Sequence, residues 1–321
     1  MNRKIFYSSI AIAILMMGFN SNTLMAQQQL PYGNMDQWIT RIIKESLLIG
    51  GNTKTIYAIG PTSTIKGDIA YTNKGGSPWA TSDVMAKVKG ITKTNCSVFP
   101  EKRGNGYCAR LETRIEKVKV LGLINLKVLA AGSVFVGSVH EPIKSTDNPD
   151  KILNVGIPFT SRPKELKYDY CVKLSGQPNR IKATGFGSIK TVSGMDKPIV
   201  ALMLQKRWED KAGNIYAKRV GTMVVEYSKS TGGWVNGATY KILYGDIRNN
   251  PSYDARTMGL LNGRDYTVNS KGRITPIREV AWADENEKPT HLCLQFASSN
   301  GGAYIGSPGN VFWIDNVMFN Y

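Results

Sequence analysis

Histidine is almost missing from this chain: His140 and His291 are the only two in 321 residues. A hydrolytic triad with an imidazole base has only those two to draw on, and no G-x-S-x-G nucleophile turn accompanies either. His140 sits in a loop beside Glu141-Pro142 and His291 heads a strand, so both read as structural. Cysteine is sparse, at four, with no C-x-x-C pair, and a structural zinc site therefore lacks its usual ligand spacing. Acidic residues number 24 against 41 Lys and Arg, and nothing marks two of them as facing one cleft, which glycosidic hydrolysis needs. Glu112, Glu209, Glu226 and Asp246 are the strand-associated carboxylates, and each reads first as a surface or turn residue. The glycines at Gly185, Gly187, Gly301 and Gly302 have no strand-Gly-helix context, which excludes a phosphate cradle. Helical periodicity, heptads and internal repeats are also missing.

What is present begins with an export signal. Arg3 and Lys4 precede an apolar run from Ile5 to Met17, and Leu24-Met25-Ala26 closes the segment. This pattern marks a secretory signal over residues 1–26, with the mature chain starting near Gln27. The run is too short to span a bilayer, no second one follows, and no Cys stands at the exit to carry a lipid. Loss of Arg3 and Lys4 takes the formal charge from +17 to +15. The basic residues are scattered singly along the chain, which argues against nucleic acid and leaves anionic glycans or the cell envelope as acidic partners.

An oxidising compartment permits disulfides among Cys96, Cys108, Cys171 and Cys293. A hairpin centred on Lys102 would set Cys96 opposite Cys108 at a bridgeable separation; two small buried thiols are the alternative.

The rest of the chain reads as strands and turns. Residues 34–39 form a first strand, and Leu166 to Leu174 alternates with Tyr168, Tyr170, Val172 and Leu174 on one face. Leu121 to Val136 reads as strands around a turn because of Gly122, Gly132 and its β-branched residues. Ile199 to Arg207 and Ile215 to Val225 flank a hairpin signal at Asp210-Lys211-Ala212-Gly213-Asn214. Thr290 to Ala297 and residues 309–321 supply the last strands. Short strands with a turn about every ten residues predict an all-β jelly-roll sandwich that uses residues 27–321 as one domain.

Several segments, in order and spread over about residues 33 to 321, resemble one family: Asn34 to Trp38, Ser77-Pro78-Trp79, Gly106 to Thr113, Ala130 to Gly137, Gly156 to Pro163, Tyr168-Asp169-Tyr170, Pro289 to Leu292, Ala297 to Gly302 and Trp313 to Val317. The set is similar to the putative carbohydrate metabolism domain family of secreted bacterial proteins, common in anaerobes with an outer membrane. The resemblance implies a jelly roll akin to carbohydrate-binding modules, a role in glycan use, and a periplasmic or cell-surface location in a Gram-negative bacterium. It implies no established reaction. Cys108 and Cys171 depart from the ordinary strand residues expected at their positions, and the lipid-attachment Cys of many surface relatives is missing.

Sugar binding needs flat aromatic faces flanked by groups that bond hydroxyls. Trp79, Trp208, Trp234 and Tyr244 lie at strand ends or beside Gly-rich turns, and Arg162 could partner them; Trp38 and Trp313, in alternating strands, read as core. Asp315 stands where many carbohydrate-binding jelly rolls place a calcium ligand, but no second acidic ligand is identifiable. The sequence thus reads as a non-catalytic glycan-binding or glycan-use accessory protein without a cofactor. A jelly-roll glycosidase, or a structural or adhesive envelope protein that meets protein partners, are its alternatives.

Overall fold

The computed structural model describes residues 26–120, 124–145, 149–185 and 187–321. The secretory signal expected over residues 1–26 lies outside the described residues, apart from Ala26. Eight strands carry the architecture: β1 (Gly106–Val120), β2 (Ser133–Val139), β3 (Glu165–Lys173), β4 (Ile199–Glu209), β5 (Ile215–Glu226), β6 (Val235–Lys241), β7 (His291–Ala297) and β8 (Val311–Asn320). One sheet runs β1-β8-β3-β6 and the other β2-β7-β4-β5. Successive strands therefore cross from one sheet to the other at every step except the β4–β5 hairpin. That interleaving is a jelly roll, as the turn spacing predicted. Ala255–Met258 is the single short α-helix among the described residues.

The strands form because their apolar residues recur at period two and so fill one face. Leu166, Tyr168 and Val172 of β3, Leu202 and Leu204 of β4, Phe296 of β7 and Phe312 and Phe319 of β8 meet in one core between the sheets. The polar ends of its tyrosines are satisfied, with the Tyr168 and Tyr227 hydroxyls 2.6 Å apart and Tyr227 and Tyr240 3.1 Å apart. Gly132 lets the chain turn from one sheet into the next. A Cβ there would stand 2.3 Å from the Ser97 carbonyl oxygen and 2.5 Å from the Glu112 nitrogen, so any other residue would force the corner apart.

The second sheet continues beyond β5 into Ile274–Trp282, which runs parallel to β5, and then Asn262–Val268. Its other end is Leu153–Val155, paired with β2. The ends meet where the Thr267 hydroxyl and the Val268 N–H donate to Asn154 Oδ1, at 2.9 and 3.1 Å, so the sheet is strongly curled. A three-stranded sheet (Trp38–Lys44, Thr53–Ile59, Ser63–Lys66) packs beside Trp79–Thr81, the short strand paired with β2. Arg41 fastens it by donating two hydrogen bonds to Glu141 at 2.9 and 2.6 Å, both side chains being buried.

Three expectations need correction. The strand expected over residues 34–39 begins only at Trp38, because Tyr32 and Met35 adopt positive φ in the preceding turns, and a short strand, Gln27–Gln29, comes before it. Trp38 is core as expected, but Trp313 is half-buried on the outer face of β8, its indole donating to Glu101 at 2.9 Å. The Cys96–Cys108 disulfide is also overturned. The turn lies at Gly104-Asn105 and not at Lys102, so Cys108 faces Glu101 while Cys96 precedes the paired strand and packs with Ile43, Ile56 and Met85. All four cysteines are free thiols.

Candidate functional site

The β4–β5 hairpin extends past the core between the sheets, which takes Val200, Leu202, Leu204, Val220 and Met223 from it but neither Trp208 nor Tyr216. Its register sets Lys206 beside Lys218 and Trp208 beside Tyr216. Alternation places these four on one face, while Gln205, Arg207, Ala217 and Arg219 point to the concave side of the curl. Trp208 remains 42% exposed although its ring stacks on Tyr216, with centroids 5.8 Å apart and planes at 22°. Arg278, opposite Tyr216 on the neighbouring parallel strand, lies 6.0 Å from the Tyr216 ring centroid. One step along the hairpin, Glu287 accepts from Lys206 Nζ at 2.5 Å and stands 3.9 Å from Lys218 Nζ.

The same loop leads to two further candidates. Arg162 donates to the backbone carbonyls of Glu285 and Glu287, and its guanidinium lies 4.1 Å over the Tyr244 ring. The Tyr244 hydroxyl donates to the Pro163 carbonyl at 2.6 Å, and Tyr244 pairs with Gly221 of β5. From Gly221 to Tyr216 is about 17 Å of strand. Three candidates, Arg162, Trp208 and Tyr244, thus share one aromatic and basic strip along β5.

The other two lie elsewhere. Trp79 was expected at an exposed strand end, but it is fully buried in the core, with its indole donating to the Pro31 carbonyl at 2.8 Å. It cannot stack on a sugar. Trp234, just before β6, is half-buried beneath Arg103, whose guanidinium lies 3.8 Å from the indole ring. Tyr216, Lys206, Lys218 and Arg278 were missed. Reflecting Trp208 and Lys206 through Ala212, the centre of the hairpin signal, would have found Tyr216 and Lys218. Nothing local announces Arg278, which arrives by a parallel pairing.

Asp315 sits differently from a calcium ligand waiting for its ion. A bulge at Asn316, whose φ is 51°, brings Asp169 opposite Asp315, and Arg103 bridges them at 2.8 and 2.5 Å. The second carboxylate that the sequence failed to reveal is Asp169. Burial raises the Asp315 carboxyl above its ordinary range, against the pull of Arg103. Burial acts the same way on Asp169, but hydrogen bonds from Asn316, Gly237 and Arg103 hold its carboxyl low. A guanidinium in contact with both acids stands where a cation would bind, so the residues do not fit a metal. No group of three His, Cys, Asp or Glu suited to a metal occurs among the described residues.

The four strand carboxylates are each engaged locally. Glu209 accepts from Ser270, Glu112 from Arg110, and Asp246 from Arg248. Glu226 accepts from Lys197, Arg256 and Asn300. Glu209 and Glu226 lie at opposite ends of the β4–β5 hairpin, with about 33 Å of strand between them. The two histidines differ: His291 shares a 2.9 Å hydrogen bond with the Thr290 hydroxyl, and burial followed by Arg207 lowers its pKa to about 4, whereas the buried Nε2 of His140 has no partner.

The family model of the putative carbohydrate metabolism domain matches residues 61–192, so the resemblance drawn from the sequence holds over that stretch. It includes Arg162 but not Trp208, Tyr216 or Tyr244. A solved structure, described as a putative glycoside hydrolase from Bacteroides thetaiotaomicron, is similar with a TM-score of 0.44 and 18% identity, over 84% of this chain and 75% of that one. No curated protein matches. No helix among the described residues is long and apolar enough to cross a membrane.

Proposed function

We propose that this is an exported, non-catalytic carbohydrate-binding protein of a Gram-negative envelope, and that it holds a glycan chain against the Trp208–Tyr216 platform. The observation that carries the proposal is an indole kept 42% exposed on a tyrosine ring, at the uncovered end of a long hairpin. An exposed tryptophan of this kind has a free π face, and the apolar face of a pyranose is the complementary surface. The carbohydrate-metabolism match over residues 61–192 supports a sugar context. Lys206, Lys218 and Arg278 supply donors beside the ring.

The test is a glycan-array screen followed by calorimetry with the mature chain. Trp208→Ala is expected to weaken the best ligand about tenfold, about 1.4 kcal/mol, without changing the thermal midpoint. Retained affinity in that variant refutes the platform. Release of reducing ends from any bound glycan refutes the non-catalytic reading.

A further inference from the structure

Resting on that reading, the cations around the platform narrow the ligand class. Lys206 and Lys218 stand side by side across β4 and β5, one rung (about 7 Å) from the Trp208–Tyr216 stack. Arg278 flanks the same stack from the next strand and forms no ion pair among the described residues. Among the described residues, Glu287 is the carboxylate paired with both lysines, closer to Lys206 than to Lys218. At the hairpin tip, Glu209 and Asp210 are committed to Ser270 and Asn214, and Lys211 and Lys271 lie beside them. Cations thus outnumber carboxylates along the strip. Lys206 and Lys218 lie on the rung beside the exposed ring and Arg278 lies beside Tyr216, where the substituents of a stacked sugar would project.

We infer that the strip recognises an acidic polysaccharide, its carboxylate or sulfate groups held by Lys206, Lys218 and Arg278 while a ring stacks on Trp208. Neutral glycans would use the stack alone. Ammonium and guanidinium groups gain from an anionic partner and lose that gain as salt rises.

The experiment uses calorimetry on the mature chain with two pairs of probes: polygalacturonate against its carboxyl-reduced polymer, and dextran sulfate against dextran. At least one acidic polymer is expected to bind ten times more tightly than its neutral counterpart, and which pair shows the difference identifies the anion. Lys206→Gln/Lys218→Gln is expected to remove most of that difference and to flatten the salt dependence between 50 and 500 mM NaCl. Trp208→Ala should weaken acidic and neutral members alike. Trp208-dependent binding that is equal within both pairs overturns the inference and leaves the glycan platform standing. Binding of acidic polymers that ignores Trp208→Ala and is matched by polyglutamate overturns both, because the attraction is then to charge alone.

Discussion

Replacing Glu279 by Leu removes the acid at the centre of the polar cluster on the concave side of the curled sheet. The Glu279 carboxylate accepts from Gln205 Nε2 at 2.5 Å, Arg219 Nε at 2.7 Å and the Leu261 N–H at 2.6 Å, and it also pairs with Arg219 Nη2. Arg219 and Glu279 side chains are both wholly buried. Breaking such a pair strands a buried guanidinium, at about 3–5 kcal/mol. The Leu261 N–H and the Gln205 amide also lose their acceptor, which adds about 1 kcal/mol or more if water cannot reach them. Arg219 keeps weaker contacts with Thr222 and the carbonyls of Met258 and Gly259, which offset part of the loss. A net destabilisation of about 4 kcal/mol follows, or a fall of about 8 °C in thermal midpoint for a chain of this length. Urea titration monitored by circular dichroism measures it. The double variant Arg219→Met/Glu279→Leu should recover at least half the loss, since it removes the stranded charge. A single variant within 1 kcal/mol of wild type, or strictly additive losses in the double variant, would refute the account of a buried pair held by mutual need.

Other consequences follow from the same structure. Arg103→Ala leaves Asp169 and Asp315 facing each other without their bridge and should cost about 2–3 kcal/mol, partly restored by adding Asp315→Asn; calcium at millimolar concentration should leave the wild-type midpoint unmoved. Burial would raise the Glu226 carboxyl, but Arg256, Asn300 and Lys197 outweigh it and hold its pKa at about 2. Because the folded value is depressed, the Glu226 contribution is complete above the ordinary carboxylate range and is lost as pH falls towards 2. The stability gap between wild type and Glu226→Gln, about 2–3 kcal/mol at pH 7, should therefore close between pH 5 and pH 2 in urea titrations. Thiol alkylation in urea without reductant should label all four cysteines. In the native protein Cys108 and Cys293 should react slowly, since burial pushes their thiols up to about 12 and about 11.

Local chemistry in the sequence determined much of this protein. Clean alternation marked β3, apolar strand-like stretches marked β4, β5, β7 and β8, and the turn residues from Asp210 to Asn214 fixed the hairpin that presents Trp208. Both are local signals, acting over a few residues through side-chain period and backbone preference, so they survive without knowledge of the rest of the fold. The cysteine pairing failed because a hairpin centre displaced from Lys102 to Gly104-Asn105 changes every cross-strand partner.

The candidate site was only half legible. Trp79 and Trp208 both stand at strand ends, and no local property separates them; one is covered by the core and the other lies beyond it. Arg278 joins the platform through a parallel pairing, and Asp169 meets Asp315 through a bulge between strands far apart in the chain. Exposure and convergence depend on how the two sheets stack and curl. That arrangement sums contacts along the whole chain, so only the tertiary structure could decide which ring meets solvent and which acids meet each other.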